Sequence, residues 1–511
     1  MHLGSRRLLA CLCFLAPAFA FAQQVTWSEP MRNERAIERV QAIAQADTVL
    51  HVVEERDNHS LRHVRYNWNT LRQLGFSDIN PTDERSQPAY FFILNDTLHV
   101  ISTRWNRLED CTEVMASLFD AEGKSIGAEQ LVHKRNEPGE PRSSGLQCKI
   151  SPSGTHILLF FDSDSERKQS DGIHFKCFRN NWTLFWEKNL RLPANNDILQ
   201  VHHFLADDDG GVYMMSGRKP LKTSTDWQRP QGGQYVVFYY NSKLNKLKQY
   251  DISLKDKQVI SVDFVLDVHQ SLVIAGYYSD NFQKKAAGTL LFAIHPFGGP
   301  IRTATYTPFS GDFLKAMTGK EKEAPEYFYL DHLYISPTGV IVLAGEQYYT
   351  SRYISTDAIT GQQVVEYRYN FDDIMVCMMD SSARHIHTIR IPKKQFTSNT
   401  NDPNFSYAFA ANNELIAITF NDDEANNLEE NSKKRKDTHQ WNGSKNSVTT
   451  RVELDYGGVM KRHTIVHNSS ERLLFNPLMQ PTANAGAASA AWAIDLLGFE
   501  DKRTYKFCRI R

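Results

Sequence analysis

Two kinds of segment alternate along the chain. In the first, a polar turn runs into a densely apolar strand: SPSGTHILLFFD (151–162), ADDDGGVYMMSG (206–217), DVHQSLVIAGYY (267–278), SPTGVIVLAGEQ (336–347) and AANNELIAITFN (410–421). In the second, a strand, a polar turn and another strand follow one another, at 114–132, 173–192, 235–252, 290–306, 374–391 and 451–466. Proline, glycine and Asp/Asn side chains supply the reversals. Val, Ile, Tyr and Phe fill the strands, as extended backbone prefers. In Val340-Ile341-Val342-Leu343-Ala344 both alternating faces are apolar, so such a strand is covered on two sides. Sheets of about four short antiparallel strands, each packed against the next, predict an all-β fold built as a single closed β-propeller.

Six units of the second kind, with a degenerate set at 490–497 and 504–510, predict seven blades, with six and eight as the neighbouring counts. The strand at 48–54 is expected to complete the last blade and close the ring. Apolar residues at Ala36, Ile37, Val40, Ile43 and Ala44 have helical spacing and predict a short helix over 33–46. A second short helix is expected over 313–322. Two β-sandwiches would need a Pro/Gly/Ser-rich linker, and no such stretch divides the chain.

The first residues change the picture of compartment. Arg6 and Arg7 precede an apolar run from Leu8 to Phe19, and Ala20-Phe21-Ala22 has the small-x-small pattern of a cleavage site. This predicts a signal peptide over 1–22 and export to the periplasm, outer surface or medium. The rival reading, a lipobox ending at Cys11, leaves too short an apolar run before the cysteine. The segment 23–88 then precedes a propeller over 89–511, which carries long insertions at 346–372 and 424–447. No later stretch has the ~20 apolar residues of a membrane span. The formal net charge of −1 gives no basic surface for nucleic acid. A monomer is expected.

Of seven cysteines, Cys11 and Cys13 lie in the leader. The remaining five have no metal-ligand spacing. Cys177 and Cys377 sit in apolar strands as small hydrophobes, and Cys111 with Cys148 is a candidate disulfide.

The segment 391–427 carries a sequence of phrases: Ile391-Pro392-Lys393 with Gln395, then Ser406-Tyr407, then Phe420-Asn421-Asp422 with Asn426. These phrases, with Ala-Gly-Tyr-Tyr-Ser at 275–279, resemble exported β-propeller-like proteins of Bacteroidota, of WD40/YVTN repeat type. That group has no assigned reaction, so the resemblance implies fold and compartment and transfers no catalytic residue.

Candidate chemistry is sparse. Asp207-Asp208-Asp209-Gly210-Gly211 lacks the distal acid of a calcium loop and reads as a tight turn. His202 and His203 point to opposite faces of a strand. His385 and His387 could share one, yet no third ligand is spaced to join them, so no metal is expected. No Gly-x-Ser-x-Gly elbow, phosphate-binding loop or Cys-x-x-Cys-His occurs, so no cofactor is expected either. Asp372-Asp373 and Asp422-Asp423 read as solvated turns rather than a glycosidase pair. The basic run 433–436 reads as part of a mobile surface loop.

The insertion 346–372 gathers Tyr348, Tyr349, Tyr353, Tyr367 and Tyr369 with Arg352 and Arg368, residue types favoured at recognition surfaces. A Thr360-Gly361 turn predicts a hairpin, and the competing expectation is that its aromatics pack onto their own blade. The functional expectation is a non-enzymatic binding or scaffold module for a protein, peptide or glycan. The alternative is a glycan- or peptide-acting hydrolase or lyase with acids and histidines gathered at the propeller axis. A quinone- or haem-dependent oxidoreductase is the weakest option, and covalent haem is excluded.

Overall fold

The computed structural model describes residues 25–29, 31–32, 37–46, 48–56, 59–79, 86–135, 146–161, 173–192, 198–219, 234–280, 285–356, 362–399, 404–427, 438–443, 446–468, 473–475, 477, 494–499 and 504–510. The expected leader, the Thr360-Gly361 turn and the basic run 433–436 lie outside them.

The described strands form eight antiparallel sheets, most of them four-stranded meanders in chain order. Sheets 1 to 7 span residues 37–79, 87–135, 146–190, 198–252, 258–308, 328–398 and 408–467. Sheet 8 joins both ends of the sequence: Val25–Trp27 pairs with Thr504–Ile510, which pairs with Ile494–Phe499 and through it with Leu473–Phe475. The chain is all-β apart from one α-helix among the described residues, Gly311–Thr318, in the region expected for it. Ser310 caps it by accepting from the Phe313 N–H.

Consecutive sheets pack face to face, and the two-sided strands are the reason. In Ile341–Thr356, Ile341 and Leu343 join the core shared with sheet 5, while Val342 and Ala344 join the core shared with sheet 7. Equivalent cores join sheets 1 and 2, 2 and 3, 3 and 4, and 4 and 5. The first strands of neighbouring sheets lie side by side, as do Gln258–Leu266 and Phe328–Ile335.

One turn recurs at the sheet hairpins. Its fourth residue donates its N–H to the carbonyl of the first and takes a left-handed conformation; Gly154, Gly210, Gly339 and Gly458 do this, but so do Gln270 (φ 62°) and Ala383 (φ 64°). Where aspartate comes first, its carboxylate bridges the turn: Asp267 Oδ1 accepts from the His269 and Ser271 N–H groups, both at 2.8 Å. Asp207 does the same for Asp209 and Gly211, which bears out the tight turn at 207–211. Asp267→Ala is expected to lose about 1–3 kcal/mol by urea unfolding, since two backbone donors lose a charged acceptor. Asp267→Asn keeps an acceptor oxygen and is expected to stay close to the parent.

Three expectations are corrected. The segment Ile37–Ala46 is a strand, not a helix. It carries bulges between Ile37 and Arg39 and between Ala42 and Ala44. Each inserted residue breaks the alternation, so a strand acquires apolar spacings of three that imitate a helix. First strands of sheets 2, 4, 5 and 6 carry bulges too. Second, Val49–Arg56 is an inner strand of sheet 1, and Val25–Trp27 is the strand that completes the last sheet. Third, Cys111 and Cys148 are unbridged; they sit in adjacent sheets, and burial raises the thiol pKa of Cys148 to about 12.

Candidate functional site: a rooted hairpin platform

Ile341–Thr356 and Gln363–Met379 stay paired well beyond the end of their sheet, from Tyr348↔Phe371 out to Thr356↔Gln363. The strand Phe328–Ile335 stops opposite Gln347, and Gln395–Ser398 takes up pairing on the far side, from Phe371↔Gln395 to Arg368↔Ser398. Trp441 adds a fourth line of chain: its carbonyl accepts from the Phe396 N–H and its N–H donates to the Lys394 carbonyl. The two long insertions therefore form one platform.

Its root is buried. Tyr348 and Tyr369 pack against Phe371, Phe405 and Trp441, and the Trp441 ring is fully buried with its Nε1 donating to Ser447 Oγ. Tyr349 donates to Asp372 Oδ2 at 3.0 Å. The outer end is open: Tyr353 is 47% exposed, Ile354 56% and Tyr367 46%, with Arg352 exposed beside them. Arg368 lies over the Tyr353 ring at 4.3 Å and the Phe396 ring at 5.0 Å, and donates to Glu366 Oε1 at 2.7 Å. The seven residues singled out in sequence are thus divided. Three tyrosines pack the hairpin down, while Tyr353, Tyr367 and Arg352 face solvent and Arg368 splints the first of these.

Beneath the root runs a polar network that sequence reasoning missed. Lys393, fully buried, places Nζ 2.6 Å from Glu346 Oε1 and donates to the Phe371 carbonyl and to Gln395 Oε1, both at 2.9 Å. Gln395 Oε1 also accepts from the Ser406 N–H, and Ser406 Oγ donates to Glu346 Oε2 at 2.7 Å. Asn421 donates to the carbonyls of Asn404 and Phe475 and accepts from the Phe475 N–H, tying sheet 7 to sheet 8. Asp422 accepts from Asn426 and Arg462. Burial still raises its carboxyl pKa, opposed chiefly by Arg462. Asn426 clamps both main-chain groups of His439. Every polar residue of the Ile-Pro-Lys-x-Gln and Phe-Asn-Asp-x-x-x-Asn phrases thus serves as a tie, and those phrases were the available signal.

The remaining candidates resolve locally. Asp372 and Asp373 lie in a strand rather than a solvated turn; Asp373 is paired with Arg390 Nε at 2.8 Å. Asp423 caps the turn at 424–426. The stem of the 424–447 insertion is anchored by Trp441 and Asn426, not loose. His385 bonds Thr289 of sheet 5 at 2.7 Å, whereas His387 lies against Gly458 of sheet 7. A bulge opposite Met378 and Met379 reverses their alternation, so they do not share a face. Glu109, Cys111 and Glu113 converge, but Arg104 and Lys134 already supply the positive charge there. On neighbouring first strands, His203 Nδ1 meets Asp263 Oδ1 at 2.8 Å.

No family model matches the chain, and no curated protein does. Among solved structures, similarity extends to the β-propeller domain of the Trilobed protease from Pyrococcus furiosus, described as having an open velcro topology (7% identity, 86% of this chain and 98% of that one, TM-score 0.35). It also extends to polysaccharide lyase Uly1 (12%, 95% and 99%, 0.39) and to a europium-containing methanol dehydrogenase (8%, 95% and 93%, 0.43). At such values the likenesses transfer no activity.

Proposed function

We propose that the chain is an exported β-propeller that acts as a non-enzymatic binding or scaffold module in the cell envelope, with the hairpin platform as its contact surface. Sheet 8, built from both ends of the sequence, supports closure of the sheets into a ring. One observation carries the functional reading: a hairpin rooted by buried aromatic and ionic ties holds Tyr353, Ile354 and Tyr367 open to solvent at its outer end. Apolar and aromatic groups held rigidly in water are the composition of interface anchors. A polypeptide is the ligand class favoured, because an open strand edge presents backbone donors and acceptors in the spacing of another strand.

A hydrolase or lyase reading has its own support in the His203–Asp263 pair, where an accessible imidazole meets a carboxylate on adjacent first strands. The raised-pKa carboxyls Asp207, Asp372, Asp373 and Asp422 are each held by a partner of their own: Tyr239, Tyr349, Arg390 and Asn426 respectively.

The test compares capture of envelope polypeptides by the parent and by the Tyr353→Ala/Tyr367→Ala double variant. Retention at least tenfold weaker in the variant, with thermal stability unchanged, is the expected result. Equal retention overturns the platform as contact surface. Turnover of glycan or peptide substrates that His203→Ala abolishes overturns the non-enzymatic reading.

A further inference from the structure

The outer edge of the hairpin's first strand is unpaired from Tyr349 to Thr356 among the described residues, because Phe328–Ile335 ends opposite Gln347. Edge strands are ordinarily blunted by proline, lysine, bulges or covering chain. This one has its only bulge at Gln347, at the root, and from there to Thr356 a single charged side chain, Arg352. It projects roughly 24 Å as regular strand.

Its sequence is close to a palindrome: Thr350-Ser351-Arg352-Tyr353-Ile354-Ser355-Thr356. We infer that the partner of this edge is a second copy of the chain, paired antiparallel about a two-fold axis through Tyr353. The inference rests on the hairpin as a contact surface and names its occupant.

In that register Thr350 meets the other copy's Thr356, Ser351 meets Ser355, Arg352 meets Ile354 and Tyr353 meets itself. Thr–Thr, Ser–Ser and aromatic pairs are the favourable cross-strand combinations. A two-fold contact is isologous, so each match counts twice and the assembly closes at two copies. Both faces agree. Tyr353, held in place by Arg368, stacks at the centre of one face. On the other, Ile354 lies against the arginine stem beside Tyr367, the cross-strand neighbour of Arg352, and the exposed apolar surface is withdrawn from water.

Sedimentation of the full chain over a wide concentration series tests this, together with Tyr353→Cys under mild oxidation and Tyr353→Lys. A reversible dimer is expected, with a symmetric disulfide dimer from Tyr353→Cys. Tyr353→Lys sets two ammonium groups face to face and is expected to raise the dissociation constant at least tenfold at unchanged thermal stability. A chain monomeric throughout, with no cross-link at Tyr353, overturns the self-pairing. If the Tyr353→Ala/Tyr367→Ala variant then still loses a different polypeptide, the binding reading survives alone. If nothing depends on these side chains, both readings fail.

Discussion

Between pH 6.5 and 4 the folded protein is expected to lose stability steeply, and four histidines are the cause. Burial depresses His63 and His133 to about 3, and His99 and His332 to about 4. Each is therefore neutral in the folded chain at a pH where the unfolded chain, with a histidine pKa near 6.5, takes up a proton. The stability they allow is complete above pH 6.5 and is drained as pH falls toward 4. Each contributes at most about 1.4 kcal/mol per pH unit across that window, about 5.6 kcal/mol per unit for the four together. The geometry explains why they resist protonation. His99 accepts from Trp182 Nε1 of the next sheet at 3.2 Å and stacks on Phe92. His332 stacks on Phe409 of sheet 7 at 4.8 Å, and His51 Nδ1 lies 2.9 Å from His63 Nε2. The buried carboxyls Asp207, Asp372, Asp373 and Asp422, pushed upward by burial, work in the opposite sense. The single-site variant is thus the sharper measurement. His99→Gln retains an acceptor for Trp182 and should flatten the dependence of urea midpoint on pH by about one histidine's share. An unchanged slope removes His99 from the account.

Lys393→Met is expected to destabilise the protein by about 3–5 kcal/mol, because it leaves Glu346 buried without its cation. Glu346 is 4% exposed and Lys393 1%, so water cannot replace either partner. The loss spreads. The Phe371 carbonyl and Gln395 Oε1 lose a donor, and Ser406, at φ 74°, is left bonded to an uncompensated carboxylate. The Lys393→Met/Glu346→Leu pair should recover much of the loss, as replacing both members of a buried ion pair with apolar groups is often close to neutral. Thermal denaturation of the two single variants and the double gives the coupling directly. Additive single losses would show that Lys393 and Glu346 act independently and that the network is not the hairpin's anchor.

These two expectations rest on contacts of different legibility. The alternation of turn and two-sided strand was readable because it depends only on neighbours in sequence: Val340 to Ala344 show no polar face, and the structure packs both. Bulges were not readable. An inserted residue is invisible until the partner strand is known, and so Ile37–Ala46 reads as a helix and His385 and His387 read as sharing a face. In the hairpin, the density of tyrosine and arginine marked a segment that the structure extends as a paired hairpin. Its division into half-buried Tyr348 and Tyr369 and open Tyr353 and Tyr367 was set by Phe405 and Trp441, which arrive from other parts of the chain. Lys393 was the hardest residue to read, since a lysine is rarely buried in full and its partner lies 47 residues earlier.

The pairing of Val25–Trp27 with residues 508–510 has a kinetic consequence. Those two partners are the most widely separated in the described fold, so loop closure delays their meeting until nearly everything between them has been synthesised. Sheets 1 to 7 join only residues within one compact stretch each, and can form as the nascent chain emerges. Until residues 504–510 appear, Val25–Trp27 has nothing to pair with. A chain interrupted shortly before that point would hold an ordered row of sheets preceded by an unsatisfied strand, the kind of species that aggregates or recruits a chaperone.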